Sequence, residues 1–167
     1  MKKLIIICFM FLFLFLVSCS NNFKDKNNTL TSKTSETTTN TNVVEEDMKE
    51  MFIYIGDNKL KVELENNSSV KALVNILKEN DITYEAHDFG GFEKVGDLGF
   101  QLPTNDSYID VTTGDVILYT GSNLCLYYGN NSYSFTRIGK INGYTKDELK
   151  EIYKASLGNI EVRLSLE

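Results

Sequence analysis

An uninterrupted apolar run occupies residues 4–17, directly after the positively charged start Met1-Lys2-Lys3. A helix that crosses a membrane needs about 20 apolar residues, so this run is short for a permanent span. Its length and the preceding charge are typical of the core of a secretory signal peptide, which is removed on export. The fold must therefore be built from the residues that follow.

The run ends in Leu16-Val17-Ser18-Cys19, which resembles the lipobox of bacterial lipoproteins. In that motif small residues precede an obligatory cysteine, because its thiol is the nucleophile that accepts the lipid. The resemblance implies a lipoprotein signal peptide at residues 1–18 and acyl chains such as palmitate on Cys19. It also implies anchoring at the extracytoplasmic face of the cell membrane. The alternative is an ordinary signal peptide with an incidental cysteine.

The composition changes abruptly after Cys19. Residues 20–42 consist mainly of Ser, Thr and Asn, and the acidic stretch Glu45-Glu46-Asp47 follows. Such a segment cannot bury enough apolar surface to offset the entropy lost on ordering. Residues 19–50 are therefore predicted to be a disordered, lipid-anchored tether, and residues 51–167 to be the folded domain.

The charge and the cysteines restrict the partners of the mature chain. Removal of the signal peptide takes away Lys2 and Lys3, so the net charge falls from −6 to −8. Binding to phosphates requires Lys or Arg side chains that replace released counterions, so no nucleic-acid partner is expected. Membrane association must come from the lipid. The predicted domain holds a single cysteine, Cys125, so an internal disulfide is impossible.

The start of the domain is typical of a hairpin followed by a helix. Residues 52–55 are β-rich, Gly56-Asp57-Asn58 is a turn, and residues 59–64 alternate polar and apolar side chains. Ser68 or Ser69 can cap a helix that runs to about Glu79, with its apolar residues on one face. Further strands are expected at residues 82–86, 108–111, 116–119 and 124–128.

A second helix and a last strand close the chain. Thr145 and Glu148 have the spacing of a capping box, Tyr144 and Leu149 that of a hydrophobic staple, and Gly158 is expected to end the helix. Residues 160–166 then alternate as a strand. Many short strands with two helices predict a mainly β fold, a small antiparallel β-barrel with a helix over each end.

Several stretches resemble cyclophilins. Residues 113–118 look like their turn into a central barrel strand, and residues 138–141 look like the strand before their second helix. Residues 88–96, 102–106 and 128–139 are similar to bacterial cyclophilin-like domains that occur on lipoproteins and beside flavodoxins. The resemblance covers residues 52–167. The association with flavodoxins leaves flavin binding as one hypothesis, but no phosphate-cradling motif is present and no cofactor is predicted.

The chain departs from true cyclophilins at their proline-isomerase site, which relies on an Arg. Residues 84–91, which correspond to that strand, contain no Arg. The domain is therefore predicted to be a non-catalytic module that binds a peptide or a small molecule. The alternative is a divergent peptidyl-prolyl isomerase that acts on exported proteins, with Arg137 in the role of the missing donor.

The aromatic residues are the best candidates for a binding site. Because side chains on a strand alternate between its faces, some of them must be core and the others can form an exposed groove. The set comprises Phe92, Tyr119, Tyr127, Tyr128, Tyr133 and Phe135. The groove is predicted to contain Phe92, Tyr119 and Tyr133, with Arg137 at its rim.

Other reactive residues have simpler explanations. His87 is the sole histidine and has no Cys or His cluster around it, so a surface position is expected and no metal site is predicted. Cys125 lies between two leucines and is expected to pack against other side chains rather than act as a nucleophile. Gly90-Gly91 is expected to form a bend, although its amides could also line a pocket.

Overall fold

The structure is a computed structural model that describes residues 48–167. The predicted signal peptide, Cys19 and the tether up to residue 47 lie outside the described residues. All of the described residues belong to one compact unit, Val43–Glu167. Because this unit contains the whole sheet and its core, we expect residues 43–167 to fold by themselves. Neither helix of the described part is long and apolar enough to cross a bilayer.

Nine strands and two helices follow one another along this part of the chain. They are β1 (Glu50–Ile55), β2 (Asn58–Leu64), α1 (Ser68–Leu77), β3 (Ile82–Phe89), β4 (Glu93–Asp97), β5 (Ser107–Val111), β6 (Asp115–Tyr119), β7 (Asn123–Tyr127), β8 (Asn131–Lys140), α2 (Lys146–Ile152) and β9 (Ile160–Ser165). The predicted mainly β architecture with two helices is confirmed.

The strands form one antiparallel sheet that closes on itself. Their order is β2-β1-β9-β3-β4-β7-β6-β8-β5, and β2 also pairs with β8 through Leu64 and Gly139. This pairing joins eight strands into a ring, with β5 attached to β8 outside it. The closure requires a glycine, because a Cβ on Gly139 would lie 2.3 Å from the Glu63 carbonyl oxygen.

The first hairpin and the helix starts have local causes. β1 and β2 are joined by a two-residue turn that begins at Gly56, whose φ of +55° suits a glycine. The N-cap of α1 is Asn67, which accepts a hydrogen bond from the Val70 amide, and not Ser68 or Ser69 as predicted. Ser69 is unavailable because its hydroxyl donates to the Pro103 carbonyl.

The second helix begins as predicted but ends early. Thr145 and Glu148 form the full capping box. The helix ends at Ile152 and not at Gly158, because Lys154 and Ser156 adopt positive φ angles of 49° and 64°, which lie outside the α-helical region. An irregular segment therefore separates α2 from β9.

Two hydrophobic clusters lie on opposite faces of the sheet. The larger one combines the inward residues of the ring with the apolar faces of both helices. The smaller one lies on the other face of β4 to β8 and is built around Val111, Ile117, Cys125, Tyr127 and Phe135. Alternation along β7 separates them, since Leu124 and Leu126 join the larger cluster. This second face carries the candidate site.

Candidate functional site on the aromatic face

Six aromatic rings cover the second face of the sheet. We call them the aromatic face: Phe89, Phe92, Tyr119, Tyr127, Tyr133 and Phe135. They come from β3, the following turn, β6, β7 and β8, because these strands are neighbours in the ring and direct alternate side chains to this face. Tyr128, the other member of the predicted set, points inward and contacts Tyr153.

The rings form one continuous strip. Phe92 stacks on Tyr127 at 5.9 Å between centroids, and Tyr127 contacts Phe135 at 6.3 Å. Phe135 then contacts Tyr119 at 5.8 Å and Tyr133 at 5.3 Å. Tyr127 and Phe135 are buried in the middle of the strip, whereas Tyr119 and Tyr133 are 40% and 54% exposed. The predicted residues Phe92, Tyr119 and Tyr133 therefore lie on one surface.

A buried carboxylate lies within this surface. Glu93, on β4, is 5% exposed, and its Oε2 atom has no hydrogen-bond partner. Burial raises the pKa of Glu93, and the hydroxyl of Tyr127 and the thiol of Cys125 offset only part of the shift without reaching Oε2 in hydrogen-bond geometry. A buried and unpaired polar group costs about 1–3 kcal/mol, so this arrangement is unfavourable in the unliganded fold.

The ring of Phe92 lies among the neighbours of Glu93. The two residues that flank Glu93 across the sheet are Phe89 on β3 and Tyr127 on β7. The Phe92 ring lies 6.1 Å from the Phe89 ring and 5.9 Å from the Tyr127 ring. Phe92 therefore contacts both of the aromatic residues that flank Glu93. Phe92 is itself only partly buried.

The remaining candidates of β3 and β7 are placed as predicted. His87 is exposed and pairs across the sheet with Val95, so it lies on the same face as Glu93. Cys125 is 2% exposed, and burial raises the pKa of its thiol, which makes it a packed side chain and a poor nucleophile. Gly90 and Gly91 form the turn between β3 and β4 with positive φ angles. Within residues 48–167 no three His, Cys, Asp or Glu side chains are grouped as metal ligands would be.

Arg137 lies on the same face but its guanidinium is engaged. It follows Phe135 by two residues on β8 and is paired with Ile117. One terminal nitrogen donates to the Asp110 carbonyl at 2.9 Å, and Nε lies at ion-pair distance, 3.4 Å, from Asp115 Oδ1 without a hydrogen bond. The Asp115 carboxylate is buried and also binds Lys140 at 3.2 Å. Arg137 thus stands at the edge of the aromatic face, held in an ion-pair network.

A groove of about 480 Å³ lies in a different place, between α1 and the start of the described chain. Its lining mixes Lys71 and Lys78 with Glu63 and Glu65 around a small apolar floor. It contains no aromatic ring and no buried polar atom without a partner. We therefore place the candidate site at the aromatic face, which combines exposed rings with the buried carboxylate of Glu93.

Glu93 is the site residue that sequence reasoning missed. The signal was present, because Glu93 and Lys94 are adjacent and directly precede the apolar Val95. If residues 93–97 form a strand, neighbouring charges must point to opposite faces. A strand covered on both faces then buries both charges, which is the arrangement found in β4.

Comparisons with known proteins agree with the fold. A family model described as the cyclophilin-like family matches residues 53–165, well over half of the chain. No curated protein matches. The solution structure of a hypothetical protein from Archaeoglobus fulgidus has a similar fold, with a TM-score of 0.54 and 18% sequence identity. The match covers 74% of this chain and 98% of the archaeal one. The resemblance inferred from the sequence is confirmed, and the chain belongs to the cyclophilin-like family.

Proposed function

We propose that this chain is an extracytoplasmic lipoprotein, anchored in the cell membrane through Cys19, whose cyclophilin-like domain binds a peptide or small-molecule ligand without catalysing a reaction. The observation that supports the binding role most directly is the aromatic face. It combines exposed rings with a buried carboxylate, that of Glu93, whose Oε2 atom has no hydrogen-bond partner. Exposed aromatic rings next to a polar group that lacks a partner are typical of an unoccupied binding surface.

The state of Arg137 supports the non-catalytic reading. An arginine that assists prolyl isomerisation must donate to the prolyl amide nitrogen, and so weaken a bond whose barrier is about 18–20 kcal/mol. The guanidinium of Arg137 is bound to Asp115 and the Asp110 carbonyl. Breaking these contacts would leave the buried Asp115 with less compensation, which opposes a move of Arg137 toward a substrate.

Binding can be tested with a set of short alanine-based peptides, each carrying a different guest residue. We expect at least one guest to shift the backbone amide NMR signals of Phe92, Tyr127 and Phe135 in residues 43–167. The same peptide should bind more weakly to a Tyr119→Ser variant, since that change removes an exposed ring from the face. Tyr108→Ser is the matched control, because Tyr108 is 75% exposed and belongs to none of the ring contacts of the strip. Absence of any shift across the set would refute the binding role.

A prolyl-peptide isomerisation assay on the same segment separates the two readings of the family resemblance. We expect no rate enhancement over the uncatalysed reaction. An enhancement that Arg137→Ala removes would overturn the non-catalytic proposal and establish a divergent isomerase.

The anchor is tested with the full chain in living bacterial cells fed a labelled fatty acid. We expect label on the natural chain and on a Cys8→Ala variant, because Cys8 leaves with the signal peptide. A Cys19→Ala variant should carry no label and should leave the membrane fraction. An unlabelled natural chain, or an unchanged distribution of Cys19→Ala, would refute the lipoprotein assignment.

A further inference from the structure

The chemistry around Glu93 favours a positively charged ligand. The carboxylate is buried, and exposed His87 on this face reaches it only through its charge, while Arg137 pairs with Asp115. The neighbouring Lys94 points to the opposite face, where it binds Asp88. A ligand that brings a cation would remove the cost of the unpaired group and gain a charge-assisted hydrogen bond.

The rings beside the carboxylate favour the same ligand class. The faces of aromatic rings carry negative potential and attract ammonium groups, more strongly where water is excluded. Phe92 and Tyr127 stack with an angle of 14° between their planes, and Phe89 meets the edge of this pair at 85°. Apolar rings around a carboxylate suit an organic cation on an aliphatic stem, because the stem packs on the rings while the charge reaches the oxygen.

We infer that the aromatic face, acting as the binding site proposed above, selects a primary ammonium group on an aliphatic stem, as in a lysine side chain, and binds it at Glu93. The inference rests on the proposed binding function and names the class of its ligand. An alkylamine in solution carries the same chemistry as a lysine side chain in a polypeptide.

Space for a ligand beside Glu93 can come from movement of the Phe92 side chain. The backbone of Phe92 is fixed, because its carbonyl accepts hydrogen bonds from the amides of Tyr128 and Gly129, both at 2.9 Å. Its ring is partly exposed and leans over Gly90, where an added Cβ would lie 2.1 Å from the ring. A turn of the ring about its side-chain bonds would therefore open space beside Glu93 without breaking the sheet.

The test compares two peptides on residues 43–167 by NMR titration. One is an alanine-based pentapeptide with a central lysine, and the other carries norleucine, which has the same stem length without the amine. We expect the lysine peptide to bind about ten times more tightly or better, the value of one charge-assisted hydrogen bond. Glu93→Gln should abolish this preference. Glu151→Gln should retain it, because Glu151 is exposed on α2, on the other side of the sheet, and its loss changes net charge equally.

Each outcome decides the inference. Equal binding of the two peptides to the aromatic face, or binding of another guest residue but not lysine, refutes the ammonium ligand while the binding function stands. Absence of binding by any guest refutes both. If n-butylamine shifts the same signals with equal affinity, a free amine suffices, and weaker binding assigns the ligand to a polypeptide. If Glu93→Gln fails to fold, the norleucine comparison on the natural chain decides alone.

Discussion

The buried ion pair between Lys94 and Asp88 offers a quantitative test of how this fold is held together. Lys94 is fully buried, and its Nζ atom lies 2.7 Å from Asp88 Oδ2 and 2.5 Å from the Gly158 carbonyl oxygen. Asp88 also accepts hydrogen bonds from the Ser156 amide at 2.9 Å and the Tyr128 hydroxyl at 3.3 Å. The pair therefore ties β3 and β4 to the irregular segment that follows α2.

Removal of either partner should have unequal effects. Asp88→Ala leaves a fully buried ammonium with one carbonyl as its partner, so we expect a loss of about 3–5 kcal/mol in the free energy of unfolding. Lys94→Met keeps most of the packing of the stem, and Asp88 retains two donors and a side chain that is 25% exposed. A loss of about 1–2 kcal/mol is expected there. The double variant, Asp88→Ala with Lys94→Met, should be more stable than Asp88→Ala alone, because it no longer contains a buried ammonium without a carboxylate.

Urea unfolding of residues 43–167 measures these differences, followed by circular dichroism and by tyrosine fluorescence, since the chain has nine Tyr and no Trp. Asp81→Ala is the control, because Asp81 pairs with Arg163 at the surface and should contribute little. A loss below about 1 kcal/mol for Asp88→Ala would refute the reasoning. So would a double variant less stable than that single one.

Acid should weaken the same pair. Burial raises the pKa of Asp88, but the hydrogen bonds from Lys94 and the Ser156 amide and the charge of Lys94 outweigh it, so the pKa lies below its ordinary value. The contribution of the ionised carboxylate is therefore fully present above the unfolded pKa of about 4 and is lost as pH falls through the lowered value. The natural chain should lose stability relative to the double variant below about pH 4.

Three further predictions concern β4 and its neighbours. Gly96→Ala should lower stability by about 1–3 kcal/mol in urea unfolding, because its Cβ would lie 2.1 Å from the Glu85 carbonyl oxygen, and an unchanged midpoint would contradict this close approach. Glu93→Gln should raise the melting temperature at neutral pH, since burial raises the pKa of Glu93 and its ionisation opposes folding, and the gain should vanish as pH falls below about 4. Cys125 is buried and should react with a thiol reagent only as fast as the domain unfolds, so rapid modification of the folded domain would contradict this prediction.

The parts of the fold that local rules control were predictable from the sequence. The first hairpin, the buried face of α1 and the capping box at Thr145 depend on residues a few positions apart. The closure of the ring depends on Leu64 and Gly139, which are far apart in sequence, and no local pattern encodes that pairing. β4 was missed because Glu93-Lys94 reads as a solvent-exposed pair, and only the neighbouring strands on both sides make it a buried one.

The same limit applies to the site. Alternation predicted that some aromatic residues would share a face, and Phe92, Tyr119 and Tyr133 do so. It could not predict that the Phe92 ring contacts both Phe89 and Tyr127, because these contacts depend on the turn at Gly90 and on strands β3 and β7 at once. Nor could it predict that Arg137 is bound to Asp115, which lies on another strand.

The contrast between Glu93 and Lys94 is the strongest reason to assign a role to the aromatic face. The two charged side chains are adjacent on β4 and both are buried, so folding removes each of them from water at a cost in free energy. On the inner face the chain supplies Lys94 with a carboxylate and a carbonyl at short distance. On the outer face Glu93 Oε2 receives no donor, although the fold could gain stability with a glutamine or an apolar residue there. The inner pair shows that the fold can compensate a buried charge on β4, although the hydroxyls of Tyr84 and Tyr153 are also buried without hydrogen-bond partners. Glu93 Oε2 differs from these hydroxyls because it belongs to a carboxylate beside exposed rings, and this is the basis of the ligand that we propose above.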